Sequence, residues 1–461
     1  MAELGPPTDP LALDPARIRQ LQETRLASQV ERLRARHPYY RRLFAELGHP
    51  RIASVAALDQ LPPTRKVDLV AAPADFRLEP ADPPDPTDVV WDIAYTSGST
   101  GSPTPLVHTA RDVRGILAAQ GAMAAIRGMT AADRIANLYP LTPQPHGAWL
   151  RAGQAAAVIG AELVVGLGGR DVGDYAVTRR TQEVLALVVR SRPTVLWGVP
   201  SYLKHLLDEA IEAGVHIGSV RMLAVSGEPC PPAMVAALVQ RCALVGAPDV
   251  QVSNSLGASE LQCGLVECQP GSGFHNPAPD QFLIESLGAD SRPVPDGEPG
   301  QLALTHLDRR GTALLRYLVG DVVAVTTQQC GFCGRAGGRV LTHHRREGTL
   351  VKVRGQLLDS DLLLRTVLAA PGVRDAQIVV QPVDHGDPLS MDELRVRVCL
   401  HGTDASTTGV GRLTADLAAH IRAAVGVQPR IEPVALADLF PTDAALKVRR
   451  FIDRRHQEEQ R

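Results

Sequence analysis

The segment Tyr95–Thr104 (YTSGSTGSPT) concentrates glycine and hydroxyl-bearing residues. Glycines let backbone N–H groups approach an anion closely, and hydroxyls donate further hydrogen bonds. Ser97-Gly98-Ser99-Thr100-Gly101 therefore has the chemistry of a phosphate cradle. An apolar stretch precedes it and a helical period follows, the usual setting for such a loop. No lysine follows the last glycine, so this is not a P-loop; taken alone it is equally a flexible turn. Cys330-Gly-Phe-Cys333 has the spacing of a metal knuckle, with free buried thiols as the alternative. Lysine is scarce: Lys66, Lys204, Lys352 and Lys447 stand against 44 arginines, so a lysine in this chain is seldom incidental.

The elements that must position these groups follow from period and length. VVWDIAY (89–95) reads as a buried strand entering the Gly/Ser loop, and 111–128 as a small-residue helix. Strands RIANLY, AELVVG, TVLWG, VRMLAVSG and DVQVSNS then alternate with helical segments near 147–159, 174–191, 200–214 and 231–246. Such alternation predicts a parallel sheet covered by helices, with ligands beyond the carboxyl ends of the strands. After residue 280, QFLIES, GQLALTHL, TALLRYLVG and DVVAVTT predict short strands of a small β-rich subdomain. The last segment, from LVKVRG to PRIEPV, has a β-α-β-β-α-β order, which is ferredoxin-like. The fold class is α/β: a large N-terminal domain (1–345) with helix-covered, mostly parallel sheets and the β-rich subdomain, and a small α+β C-terminal domain (346–461). The polar stretch 343–348, with His343 and His344, reads as the linker.

Composition sets outer bounds. The chain has 461 residues and a net charge of −2, which gives no pull toward nucleic acid or anionic membrane. No apolar run nears the ~18 residues that span a bilayer. The N-terminus is Pro-rich, without a basic region or an apolar core, so it is no secretory signal, and a cytoplasmic location is expected. Seven cysteines over such a length argue against a disulfide framework.

Thr96–Pro103 resembles the phosphate loop of the adenylate-forming ligases, (S/T)SG(S/T)TGxP, and the ending Pro103-Thr104 resembles the phenylacetate–CoA ligase branch. Further segments match that branch in the same order. LWGVPSYL (196–203) resembles its TPSYL segment, Ser226-Gly227-Glu228-Pro229 its GGEP, and Leu256-Gly257-Ala258-Ser259-Glu260 its YGLSE. Leu315–Asp321 resembles IRYRTGD, Arg346–Gly355 resembles GRxDDxxxxRG, and Leu446–Arg450 resembles GKxxR. Together they cover some 350 residues. Leu256 replaces the family's tyrosine, Arg345 replaces a glycine, and Gly348 stands at the hinge aspartate.

The resemblance implies ATP-dependent activation of a carboxylic acid to an acyl-adenylate, with transfer to CoA, a carrier-protein thiol, or a small-molecule hydroxyl or amine. It implies magnesium on Glu260, a hard cation suited to oxygen ligands. Ser97, Gly98, Ser99, Thr100, Gly101, Gly227, Glu228, Pro229, Ser255 and Leu256 would bind ATP or AMP. Asp321 would accept bonds from the ribose, with Arg346 nearby, and Lys447 would offset charge at the α-phosphate. Tyr139, His146, Gly147, Ser226, Ser253, Asn254 and Gly257 would form the acyl pocket, Ser253, Asn254 and Ser255 offering hydrogen bonds to ring substituents. No long apolar tunnel is evident, which favours an aromatic acid. Relatives in the branch activate phenylacetate, benzoates and aminobenzoates, some in natural-product pathways that join 3-hydroxyanthranilate units. The branch carries a Cys and a His near Cys268 and His275, which with Cys330 and Cys333 would complete a closed structural zinc site. A homodimer is left open.

Overall fold

The computed structural model describes residues 14–96, 103–141, 147–169, 177–346, 350–353, 356–384, 391–400, 407–439 and 450–455. The chain divides into two compact units, Met1–His344 and Arg345–Arg461. In the first, helices α1 (Pro15–Arg36), α2 (Pro38–Glu46) and α3 (Lys66–Ala71) precede an antiparallel hairpin of β1 (Val90–Tyr95) and β2 (Pro105–Thr109). Helix α4 (Ala110–Arg127) follows at once. Thr109 and Asp112 form its capping box, and Gly128, at φ 72°, ends it. Then β3 (Arg134–Asn137), α5 (Gly147–Ile159), β4 (Glu162–Val165), α6 (Thr181–Ser191), β5 (Val195–Gly198), α7 (Pro200–Glu212), β6 (Met222–Val225), α8 (Pro232–Leu244) and β7 (Gln251–Gly257) alternate.

Strands β4, β3, β5, β6 and β7 lie side by side and parallel. Successive residues face opposite sides. Leu196, Leu223 and Val225 pack with α6, α7 and α8, whereas Val195, Trp197, Met222 and Ala224 pack with α4 and α5. Both faces of the central strands are covered, which is why β5 and β6 are apolar throughout.

β8 (Gly264–Glu267), β9 (Phe274–His275), β10 (Phe282–Leu287), β11 (Pro299–His306), β12 (Tyr317–Thr326) and β13 (Arg339–Arg346) extend the same sheet in the order β10-β11-β12-β13-β9-β8-β7. The strands after residue 280 are thus the antiparallel half of one 11-stranded sheet, not a sheet of their own. TALLRYLVG and DVVAVTT, predicted as two strands, contribute to one. Ala303 pairs with Leu318 and Gln301 with Val322, so the intervening residues are absorbed as a bulge with Gly320 at φ 90°. The N-terminal helices cover this half: Leu26, Leu33, Tyr40, Phe44 and Phe76 bury against Leu283, Leu307, Leu314 and Tyr317.

VVWDIAY is not a buried strand. Among the described residues it pairs only with β2, and Val90, Trp91 and Ile93 are 40%, 68% and 40% exposed. The hairpin is fastened from below by the segment after β11. Thr312 N–H donates to the Val107 carbonyl (2.7 Å), and Val107 N–H donates to the Thr312 hydroxyl (2.9 Å). A Cβ on the adjoining Gly311 would collide with that carbonyl. Gly311→Ala is therefore expected to cost about 2 kcal/mol through forced backbone movement. Denaturation monitored on the first unit checks this; an unchanged curve would refute the close approach.

In the second unit β14 (Leu350–Val353) and β15 (Gln356–Asp359) form a hairpin, followed by α9 (Ser360–Leu368). β16 (Val373–Pro382), β17 (Asp392–Leu400), α10 (Thr407–Val425), β18 (Arg430–Pro433), α11 (Leu436–Leu439) and β19 (Phe451–Asp453) complete it, with strand order β18-β17-β16-β19. Leu363, Val367, Leu417 and Ile421 of the helices pack on Ile378, Val380, Val396 and Val398. The LVKVRG stretch does not open the predicted β-α-β-β-α-β sheet. QLLD offers it an adjacent partner at low loop-closure cost, and β19 takes the edge beside β16, parallel to it. Arg450 pins that edge: its carbonyl accepts Ile378 N–H at 2.6 Å, and its guanidinium pairs with Asp375 at 2.9 Å. Among the described residues no helix is long and apolar enough to cross a membrane.

Candidate functional site

The hydroxyl-rich segment runs between β1 and β2, so it joins two antiparallel strands instead of leading straight into a helix. Thr96 N–H donates to the Thr104 carbonyl (3.1 Å), and Thr104 N–H donates to the Thr96 hydroxyl (3.0 Å), clasping its two ends. Ser97, Gly98, Ser99, Thr100 and Gly101 lie outside the described residues, as do His146, Lys447 and Gly348.

The same hairpin carries a charge network. His108 Nδ1 on β2 lies 2.6 Å from Asp92 Oδ1 on β1, and because a carboxylate only accepts, Nδ1 holds the proton. Arg151 of α5 donates to both Asp92 oxygens, at 2.8 and 3.3 Å. Burial opposes ionisation of Asp92, but the bonds from His108 and Arg151 outweigh it and hold the carboxyl well below its usual range. Arg151 Nε also donates to Gln262 Oε1 at 2.9 Å. Gln262 is buried at φ 60°, a left-handed conformation that costs a side-chain-bearing residue about 1 kcal/mol. Its carbonyl accepts Gln120 Nε2 at 2.8 Å, and its own amide donates to the Ser259 carbonyl. Gly147, at the start of α5, leaves room for that amide: a Cβ there would lie 3.2 Å from Gln262 Oε1.

At the carboxyl ends of the parallel strands Gly198, Val225 and Asn254 are in register, so the loops that follow share one edge. Ser226 N–H donates to the Gly198 carbonyl (3.3 Å), and the Ser226 hydroxyl bonds the Tyr139 phenol. Burial raises the Tyr139 pKa and keeps the phenol neutral. Gly227, at φ 90°, passes Val199 where a Cβ would sit 3.2 Å from a methyl group. Glu228 accepts Ser201 N–H (3.3 Å) at the N-terminus of α7, an end whose dipole favours an anion. Pro229 follows, exposed.

Ser253 and Ser255 do not present free hydroxyls to a ligand. Arg127, at the end of α4, donates Nε to Ser253 (3.1 Å) and Nη2 to Ser255 (2.9 Å), and Ser255 donates to the Val225 carbonyl (2.8 Å). Strand alternation turns both serines onto the face where this buried guanidinium lies over Trp197, 4.9 Å from the ring centroid. Burial lowers the Arg127 pKa to about 10. Asn254 donates to the Cys230 carbonyl (3.2 Å) on the opposite face, Leu256 packs with Leu261 and Phe282, and Gly257 pairs with Gly264.

Glu260 follows β7 and is held from two sides. The Tyr317 hydroxyl donates to Oε1 at 2.8 Å, and His306 Nε2 meets the Glu260 carbonyl at 3.1 Å. His306 Nδ1 accepts Leu314 N–H (3.2 Å), so its proton is on Nε2, and complete burial keeps the ring neutral. Asp321 lies in the β12 bulge, 8% exposed, and Arg346 ends β13.

The sheet order also assembles the cysteines. Cys268 and His275 sit on the β8–β9 hairpin, and the knuckle between β12 and β13 turns through Gly334, at φ 69°. The ligand atoms of Cys268, His275, Cys330 and Cys333 all lie within 4.8 Å of one another, with Cys333 Sγ 3.7 Å from His275 Nε2. A tetrahedral zinc with Zn–S near 2.3 Å has edges of about 3.8 Å, so the donor set fits that ion.

The model of the AMP-binding enzyme family matches residues 18–306. The chain belongs to that family. This AMP-binding enzyme is 29% identical over 395 residues to phenylacetate-coenzyme A ligase of Thermus thermophilus, covering 83% of the chain and 82% of the relative. It is 24% identical over 367 residues to 3-hydroxybenzoate–CoA ligase of an Aromatoleum species, covering 75% and 63%. Among solved structures, 2-hydroxyisobutyryl-CoA ligase in the postadenylation state shares the fold, with a TM-score of 0.80 at 21% identity over 98% of the chain and 94% of that protein. The adenylate-forming architecture and the acid–AMP ligase class implied by the motifs are borne out.

Sequence reasoning about this AMP-binding enzyme missed Asp92, His108, Arg127, Arg151, Gln262 and His306. None belongs to a quoted motif except by adjacency. The one available signal was a charged residue inside an apolar strand, Asp92 in VVWDIAY, which a buried partner must compensate.

Proposed function

We propose that this enzyme uses ATP to convert an aromatic carboxylic acid of the benzoate or aminobenzoate type into its acyl-adenylate, and then passes the acyl group to a nucleophile. One juxtaposition carries the reading. The hairpin bearing the hydroxyl-rich segment is tied through Arg151 to the loop of Glu260, so the groups for the polyphosphate and for its counter-cation belong to one network. Glu260 would hold magnesium, whose charge would neutralise the phosphates. The backbone and hydroxyls of Ser97–Gly101 would orient the leaving pyrophosphate. Gly227, Glu228 and Pro229 would border the nucleotide, Asp321 would accept bonds from the ribose hydroxyls, and Arg346 would act beside it.

The acid's carboxylate oxygen attacks the α-phosphorus, the bond to the bridging oxygen breaks, and pyrophosphate leaves. Lys447 offsets the charge that builds there. Tyr139, Ser226 and Gly147 border the acid, and the neutral phenol–hydroxyl pair suits a ring with a polar substituent. The thiol of CoA is favoured as acceptor, since the relatives named above are CoA ligases. Cys268, His275, Cys330 and Cys333 would hold a structural zinc.

Exchange of labelled pyrophosphate into ATP tests the reading. Exchange is expected only when a suitable acid is present, and mass spectrometry with and without CoA then names the acceptor. Silence across benzoates, hydroxy- and aminobenzoates, phenylacetates and fatty acids would overturn the proposal.

A further inference from the structure

Gln262 occupies a place that backbone conformation alone would give to glycine. It is a side-chain-bearing residue at φ 60°, and it is 3% exposed. Retaining a glutamine there makes sense if its side chain has a task that offsets the conformational cost. Its amide oxygen accepts Arg151 Nε (2.9 Å), Arg151 in turn grips both oxygens of Asp92 on the β1–β2 hairpin, and the backbone carbonyl accepts Gln120 of α4 (2.8 Å). Two residues earlier stands Glu260, fixed by Tyr317 and His306. Gly147 independently leaves the volume that the Gln262 amide fills.

We propose that Gln262 is a positioning residue of the adenylation site: through Arg151 and Asp92 it keeps the Glu260 carboxylate in register with the β1–β2 hairpin. This rests on the reading that Glu260 and that hairpin together serve magnesium and the ATP phosphates. The relay joins residues 92, 151 and 262 on three elements, so a shift of any one is felt by the other two. Its role is in placing the polyphosphate and its cation, not in recognising the nucleoside.

The test is calorimetric titration of the full-length protein with magnesium-ATP and, separately, with adenosine. Gln262→Gly removes the amide but suits the left-handed backbone; Asp92→Asn is nearly isosteric and weakens the far end of the relay. Both are expected to raise the Kd for magnesium-ATP about tenfold or more while leaving adenosine binding unchanged. Gln262→Glu keeps an acceptor for Arg151 but loses the donor to the Ser259 carbonyl, so it is expected to restore only part of the loss. Unchanged magnesium-ATP binding in both variants, or parallel weakening of both ligands, would overturn the proposal and leave the adenylation reading standing. Wild-type protein that fails to bind magnesium-ATP would instead overturn the reading on which it rests.

Discussion

Lys447→Ala is expected to lower pyrophosphate exchange by about 10²–10³-fold, the scale found when one preorganised transition-state donor is removed. Binding of ATP in the ground state should change far less, because the charge that Lys447 would answer develops only as the carboxylate oxygen approaches the α-phosphorus. The hydroxyl-rich segment brings no lysine of its own, so the cation must come from elsewhere in the chain. Only four lysines exist, and Lys447 is the one in the segment that resembles GKxxR. Exchange rates beside ATP dissociation constants check the prediction. Equal loss in both would point to a general binding role and remove the catalytic assignment.

Cys330→Ser is expected to abolish zinc retention and to destabilise the first unit by about 3 kcal/mol or more, since three thiolates and an imidazole would lose the ion that justifies their proximity. Cys330 is 2% exposed and the knuckle closes on it: its N–H donates to the Arg335 carbonyl at 3.0 Å, and its carbonyl accepts Gly334 N–H at 2.9 Å. Serine keeps the size but is a poor zinc ligand. Elemental analysis should find about one zinc per wild-type chain and none in the variant. A wild-type protein that is metal-free and fully folded would dispose of the site, leaving four thiol and imidazole groups as ordinary packing.

The parallel half of the sheet was legible because strands buried on both faces are apolar from end to end, and β5 and β6 are. The antiparallel half was legible as strands but not as part of that sheet, because nothing in a local pattern says that β8 will pair back onto β7. The exposed hairpin strand β1 misled for a related reason: Val90, Trp91 and Ile93 look like core, and only its two-stranded pairing reveals that they are not. Lys352 lies in a stretch that looks like the first strand of the C-terminal sheet, yet β19, only three residues long, takes that place. Ser253 and Ser255 were readable as polar strand residues. What consumed them, Arg127, stands 126 and 128 residues away, a separation no periodicity records.

The clamp at Arg450 has a further consequence. Three peptide steps separate Lys447 from it, so the two Cα atoms lie within about 11 Å of each other, the limit of a fully extended chain. The clamp is double, a backbone bond to Ile378 and an ion pair with Asp375, and both partners lie on β16 of the second unit. If Lys447 serves the α-phosphate as proposed, its reach is bounded by a clamp that it does not itself make, and Asp375→Asn would weaken that clamp without altering the lysine.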